Sequence, residues 1–365
     1  MLYSMTVLLL TSGSILSTMA APTSSSAPVS DATVGFTEAD AKALLSNANN
    51  ITLQQDSCAS WNRDGVNWNL APKMAVEAGL EGILLQAMAY ERKAGQNGVQ
   101  RNDWPSDAYP PDLMNGRLTE IVDSAVAPKD GAFGFSALLD GETPILAFAG
   151  STDMTNWKDN FKSVASADAD LGGKMYKVGK GFYDEYKEVM ATLEGPIKAL
   201  MDAHDGKLLI VGHSLGGAIA NIAAVDMANK FSAKVALRTA GSPRVFAWRP
   251  EDSAERVQTE LLRMGSDAEK FGAVFPTAKG IVIQRLTNYA DIVPTVPYCS
   301  GGYMHTGPGG WYIRANLLGY HPKAYALQHQ DFTPYQDATT ATAAAHGLGK
   351  YYERLREFLV DVYKA

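Results

Sequence analysis

Leu208-Leu209-Ile210-Val211-Gly212-His213-Ser214-Leu215-Gly216-Gly217-Ala218 is the stretch on which the fold turns. Four branched apolar residues run into a glycine, a polar pair and two further glycines, and an Ala-rich segment then continues to Lys230. The first part has the composition of a short buried strand and the last that of a helix. A chain passing from one to the other must turn sharply, and Gly212 and Gly216 remove side chains that would collide there. In that setting Gly-x-Ser-x-Gly holds a serine hydroxyl out at the carboxyl edge of a sheet, beside helix amides suited to developing negative charge. Without the strand and the helix, the same letters would describe a glycine-rich helix start capped by an ordinary serine. With them, Ser214 reads as a nucleophile.

The pattern on either side fits this reading. Upstream, Glu38 to Asn47 and Ala71 to Lys93 have helical spacing, the second with Met74, Leu80, Ile83, Leu84, Ala87 and Met88 on a broad apolar face. Thr119 to Val126, Ala132 to Leu139 and Pro144 to Ala149 have strand composition, and Asp140-Gly141 joins the last two as a hairpin. Gly181 to His204 is helical, with a break expected at Gly195-Pro196. Downstream, Val235 to Ala240 and Ile281 to Thr287 are strands, while Glu251 to Met264 and about Gly349 to Tyr363 are helices. Strands alternating with helices imply a mostly parallel central sheet with helices on both faces, an α/β architecture. No internal repeat and no second domain is visible, so residues 31–365 are expected to form a single domain.

The chain has 365 residues, 46% of them apolar, which is enough for a large core without a disulfide framework or a metal. Its net charge of −7 argues against nucleic acid as a partner and against docking on anionic lipid. A neutral substrate fits better. Thr6 to Leu16 is uncharged and mostly apolar, and the small residues Thr18, Ala20 and Ala21 follow, so residues 1–20 are expected to be a signal peptide for secretion. The Ser-, Pro- and Ala-rich residues 21–30 read as a flexible leader. No transmembrane segment is expected. Cys58 and Cys299 are the only cysteines. A secretory route permits a disulfide between them, and neither belongs to a metal-binding pair. Asn50-Ile51-Thr52 is a glycosylation acceptor sequence.

A serine needs a base to take its proton and a carboxylate to orient that base, and in this architecture both follow the serine, acid first. Asp291 is the favoured acid, because it follows the strand Ile281 to Thr287, where catalytic groups gather in open α/β sheets. Asp331 and Asp337 are rivals, and Asp226 falls inside the helix after the nucleophile. For the base, spacing leaves His305, His321, His329 and His346 open, with His346 attractive on the loop before the last helix.

Taken together, these blocks resemble the class 3 lipases, secreted fungal triacylglycerol lipases with the α/β-hydrolase fold. The resemblance runs from about Phe133 to the C-terminus. It rests on Ile145 to Trp157, Val178 to Tyr186, Gly212 to Gly217, Gly241-Ser242-Pro243-Arg244, Asp291-Ile292-Val293-Pro294 and His346 before the final helix. It implies Ser214 as nucleophile, Asp291 as acid and His346 as base, with the backbone amides of Ser151 and Leu215 as oxyanion hole. His305 would then be structural. The family carries Arg where this chain has Ala149, its disulfide pattern is absent, and Asp168 to Lys174 looks like an insertion.

Met154, Trp157, Phe161 and Val164 follow the oxyanion segment at helical spacing on one face, where related lipases carry a mobile lid. The expected activity is hydrolysis of a neutral lipid ester at an oil–water interface, with no cofactor, no metal and no protein partner. A feruloyl-type esterase, a phospholipase A1, and an inactive binding protein on the same scaffold are the alternatives.

Overall fold

The computed structural model describes residues 73–97, 116–124, 131–151, 165–247, 283–288, 291, 293–297, 303–305, 310–314, 317–321 and 345–363. These all fall in one compact unit, Ile51–Ala365. The signal segment, the leader, the Glu38 to Asn47 and Glu251 to Met264 helices, the glycosylation sequence, Cys58, Cys299, His329, Asp331, Asp337 and the stripe Met154, Trp157, Phe161 and Val164 lie outside the described residues.

Helix α1 (Lys73–Asn97) precedes a hairpin-rich run of strands: β1 (Leu118–Asp123), β2 (Phe133–Leu139), β3 (Thr143–Ala149), β4 (Ser166–Asp170) and β5 (Met175–Gly179). Helix α2 (Lys180–Ala203), β6 (Lys207–His213), α3 (Leu215–Phe231), β7 (Lys234–Ala240) and β8 (Phe246–Ala247) follow. After them come β9 (Ile283–Asn288), β10 (Tyr303–Met304), β11 (Gly310–Arg314), β12 (Leu317–His321) and α4 (Leu348–Tyr363).

Eight of these strands form one sheet in the order β1-β2-β3-β6-β7-β9-β11-β12. Strands β3, β6, β7, β9 and β11 are mutually parallel, and antiparallel pairs close both edges. The expected hairpin is present: β2 pairs β3 antiparallel, and Asp140 and Gly141 both have positive φ, at 53° and 71°. Such a turn suits the twist of paired strands. Segment 168–174, which looked like an insertion, lies in a second hairpin, β4 with β5, in a separate sheet of order β10-β8-β5-β4.

The central strands show why both faces are covered. Ile145, Ala147, Leu209 and Val211 point to one core, while Leu146, Phe148, Leu208 and Ile210 point to the other. Alternate residues of a strand face opposite sides, so near-continuous apolar strands need a helix layer on each. One layer is α2 and α3, the other α1 and α4. Helix α3 is buried on every side from Leu215 to Ala228, as expected of a helix that is apolar all round.

Helix α2 departs from expectation. It runs unbroken through Pro196. Leu193 and Ile197, one turn apart on either side of the proline, are both fully buried. A proline in a helix interior costs about 3 kcal/mol. Burying one such side chain returns about 1.5–3 kcal/mol. The anchored apolar stripe therefore carries the helix across the proline.

Candidate active site

Strand β6 ends at His213 and α3 begins at Leu215, so Ser214 alone makes the turn. Its φ is 60° and its ψ −130°. Holding a side-chain-bearing residue there costs about 1–3 kcal/mol, and such strain concentrates at functional positions. The backbone locks the turn: Ser214 N–H donates to Ala240 O at 3.1 Å, and Gly217 and Ala218 N–H donate to Ser214 O at 2.9 and 3.2 Å. A methyl group on Gly212 would lie 2.2 Å from the Gly216 carbonyl oxygen, as the sequence reading required. The Ser214 side chain makes no capping bond to the helix. A capping serine would bond an amide of the first turn. Ser214 is thus not held as a cap.

Asp291 and His346 are brought together across 55 residues of chain. Asp291 follows β9, and His346 precedes α4. His346 Nδ1 lies 2.7 Å from Asp291 Oδ2. A carboxylate accepts, so Nδ1 carries the proton, and in the neutral ring Nε2 keeps a lone pair able to receive another. Asp291 is fully buried and takes two more donors: Tyr351 O–H to Oδ2 at 2.6 Å and Val293 N–H to Oδ1 at 2.9 Å. Tyr351 is fixed in turn by Asn288 N–H at 2.9 Å. Burial, reinforced by Asp291, pushes the Tyr351 phenol well above its ordinary value, so it stays a donor. Asn288 Nδ2 donates to Ala345 O at 2.8 Å, tying β9 to the residue before His346. Gly241, at φ 57°, closes the floor: a Cβ there would lie 2.8 Å from Asp291 Oδ2 and 2.9 Å from His346 Cε1. Gly241 directly follows Ala240, the residue that accepts the Ser214 amide.

Ser151 lies just beyond the end of β3 and is partly exposed. A Cβ on the preceding Gly150 would meet Leu215 N at 2.9 Å and His213 O at 3.0 Å. The residue before Ser151 is therefore pressed against the Leu215 amide. That amide belongs to the first turn of α3, where N–H groups have no intrahelical acceptor.

Of the remaining histidine candidates, His305 and His321 fall among the described residues. His305 is buried, and its Nε2–H donates to Pro294 O at 2.6 Å. Burial, then the Arg285 and Arg244 guanidiniums, hold its pKa well below the ordinary value. His321 ends β12. Asp226 sits in α3 and accepts from Tyr186 O–H of α2.

Sequence reasoning missed a polar line on the buried face of α1. Gln86, Tyr90 and Lys93 are spaced four and three apart, and all three are buried. Gln86 Nε2 donates to Arg238 O of β7 at 3.2 Å. Tyr90 Oη lies 2.9 Å from His213 Nδ1 at the end of β6. Lys93 Nζ donates to Gly150 O beyond β3 at 2.9 Å and to Gly131 O before β2. His213 Nε2–H donates to the His346 carbonyl oxygen at 2.8 Å, so Nδ1 is the acceptor for Tyr90. The His213 and His346 rings lie 4.6 Å apart. Polar residues at helical spacing on an otherwise apolar face were the available signal.

Among the described residues, no group of three or more His, Cys, Asp or Glu side chains could hold a metal ion. No described helix is long and apolar enough to cross a membrane.

Residues 145–301 match the family Lipase (class 3). That span takes in β3, the elbow and Asp291, and it leaves out α1 and His346. The chain is 31% identical over 193 residues to secreted mono- and diacylglycerol lipase 1 of Fusarium solani, covering 52% of this chain and 50% of that protein. It is 29% identical over 175 residues to a lipase of Rhizomucor miehei, covering 47% and 42%. The chain thus spans half or less of the length of these curated relatives. A solved structure of Rhizomucor miehei triacylglyceride lipase superposes with a TM-score of 0.55 at 22% identity, over 79% of this chain and 100% of that one. At that identity the likeness speaks for the fold alone, which is the α/β-hydrolase fold. Strand order, elbow and sequence match agree, and over residues 145–301 the chain is similar to the class 3 lipases.

Proposed function

We propose that this protein is a secreted serine hydrolase that cleaves carboxylic esters of lipids, acylglycerols foremost, through Ser214, Asp291 and His346. The observation that carries the proposal is the His346–Asp291 bond of 2.7 Å, held by Tyr351 and Val293 and floored by Gly241 next to the Ser214 turn. The names of the relatives supply the ester class and the secretion.

In this reading Ser214 Oγ attacks the ester carbonyl carbon while its proton passes to His346 Nε2. The carbonyl oxygen becomes an oxyanion and is received by the amides of Leu215 and Ser151. Removing one such donor typically costs about 3–4 kcal/mol of barrier. Collapse breaks the bond to the alcohol, which leaves with the proton from His346, and an acyl-enzyme remains. Water then gives a proton to His346 and attacks the acyl carbon, and the proton returns to Ser214 as the fatty acid departs. Asp291 keeps the imidazole in the tautomer that this cycle needs. The cycle calls for no cofactor. Met154, Trp157, Phe161 and Val164 would form the apolar face of a lid that opens at an oil surface.

The test is tributyrin hydrolysis measured across its solubility limit, with Ser214→Ala protein as blank. A rate that climbs steeply once droplets form, and is absent from the blank, is the expected outcome. Saturation below the limit would sink the lid and leave an esterase of soluble substrates. Failure of a fluorophosphonate to label Ser214, together with no rate on any ester, would overturn the hydrolase reading.

A further inference from the structure

Lys93 is a buried cation on α1, 1% exposed. Its ammonium donates to two backbone carbonyls, Gly150 O at 2.9 Å and Gly131 O. These two carbonyls flank one corner of the sheet, since β2 pairs β3 with Phe133 opposite Ala149. Glu185 of α2 lies close enough to feel the charge, and its carboxylate accepts the Ala132 amide at 2.5 Å. Burial is the larger influence on Glu185 and pushes its pKa up, while Lys93 pulls against it. A buried lysine costs several kcal/mol in desolvation unless such partners are in place, so its presence asks for a reason.

The peptide plane supplies one. The Gly150 carbonyl and the Ser151 N–H belong to the same planar trans unit and point in opposite directions. A donor that fixes the Gly150 oxygen therefore fixes the direction of the Ser151 amide. Gly150 itself has little room to move, because a Cβ there would meet Leu215 N at 2.9 Å and the Tyr90 hydroxyl at 3.0 Å. An ammonium on the carbonyl end also polarises the peptide, which makes its N–H a stronger donor to a developing negative charge.

We propose that Lys93 is a positioning residue for the oxyanion loop: by gripping the Gly150 and Gly131 carbonyls it aims and polarises the Ser151 amide. This rests on the reading of Ser151 and Leu215 as oxyanion donors. It assigns a role in turnover to a helix outside the matched family span. Lys93 touches no substrate, and its effect belongs to the transition state, so it changes kcat and leaves KM alone.

The experiment compares wild type with Lys93→Arg, Lys93→Gln and Lys93→Met on p-nitrophenyl butyrate below its solubility limit. Circular dichroism and thermal melting give the folded fraction, and fluorophosphonate labelling at saturation counts competent Ser214. The neutral variants are expected to lose about 10–100-fold in kcat per labelled site, with KM changed less than about threefold. Lys93→Arg keeps the charge but replaces a point donor by a planar fork, and is expected to lose about threefold. Affinity for a trifluoromethyl ketone, which forms the tetrahedral oxyanion on Ser214, should fall in step with kcat. A folded neutral variant with wild-type kcat and wild-type ketone affinity overturns the proposal and makes Lys93 a purely structural cation. If both neutral variants fail to fold, Lys93→Arg decides, and wild-type kcat in that variant overturns it equally. Absence of rate and label in the wild type would instead remove the hydrolase reading beneath it.

Discussion

The two helix layers cover the same sheet with opposite chemistry. Under α2 and α3 the core is mostly aliphatic and aromatic, with Phe148, Leu193, Ile210 and Ile219 fully buried and a Tyr186–Asp226 hydrogen bond joining the two helices. Under α1 and α4 the core is crossed by buried polar groups: Gln86, Tyr90 and Lys93 from one helix and Tyr351 from the other. Tyr90 and Lys93 reach strand ends, Gln86 reaches Arg238 within β7, and Tyr351 reaches the Asp291 carboxylate. An aliphatic contact is non-directional and holds layers together, whereas a buried hydrogen bond specifies a direction and leaves a costly unpaired group when cut. The second layer therefore adds directional bonds to the candidate site, whose nucleophile turn is carried by α3 of the first.

Four substitutions would sharpen or break this contrast, the largest effect first. Ser214→Ala should lower kcat by a factor of about 10⁴–10⁶ while the melting temperature stays close to wild type. Substantial turnover of p-nitrophenyl butyrate by purified Ser214→Ala would remove Ser214 from the chemistry. Ile219→Ala, in the aliphatic layer, should cost about 2–5 kcal/mol of unfolding free energy in a denaturant titration. Its kcat per labelled serine should match wild type, and a loss there would show that α3 packing also tunes the site.

Tyr351→Phe, in the polar layer, removes one donor from Asp291 and leaves the Asn288 amide unpaired. A barrier increase of about 1.5 kcal/mol, roughly tenfold in kcat, is expected together with a modest loss of stability. A variant that melts lower but turns over at the wild-type rate would make the Tyr351 bond structural.

The smallest effect concerns pH. Burial, then Arg285 and Arg244, depress the pKa of His305 in the folded state below its ordinary 6.5. The unfolded chain therefore takes up this proton first, and stability rises with pH across the interval. The His305 contribution is complete above about pH 6.5 and is lost as pH falls from there toward the folded-state value. His305→Gln should flatten the dependence of melting temperature on pH in that window and leave it unchanged at pH 8. An equally steep acid limb in the variant would assign that limb to other groups.

Much of this was legible beforehand, for local reasons. The elbow could be read because its geometry demands glycine at Gly212 and a strand and helix on either side, all within eleven consecutive residues. The hairpin at Asp140-Gly141 could be read because positive φ in a tight turn selects those residue types. The unbroken course of α2 through Pro196 could not, because the outcome depends on what Leu193 and Ile197 pack against. Tyr90, Lys93, His213 and Tyr351 were missed for a related reason. A tyrosine or lysine on a helix looks the same in sequence whether it ends in water or on a carbonyl 57 residues away, as Lys93 does at Gly150.

By itself the sequence determined the order of α1, β1 to β3, α2, β6, α3, β7, β9 and α4, the nucleophile candidate and, through its blocks, the family to look for. Strands β4, β5, β8 and β10 to β12 were not among those expected. The legible features rest on periodicity and turn sterics, which act between near neighbours. Residue spacing left four histidines open, and the family resemblance singled out His346. The tertiary structure decided that His346 faces Asp291 and that α1 reaches the end of β3. Both depend on which distant segments share the carboxyl end of the sheet, and only the packing of two helix layers on one sheet settles that.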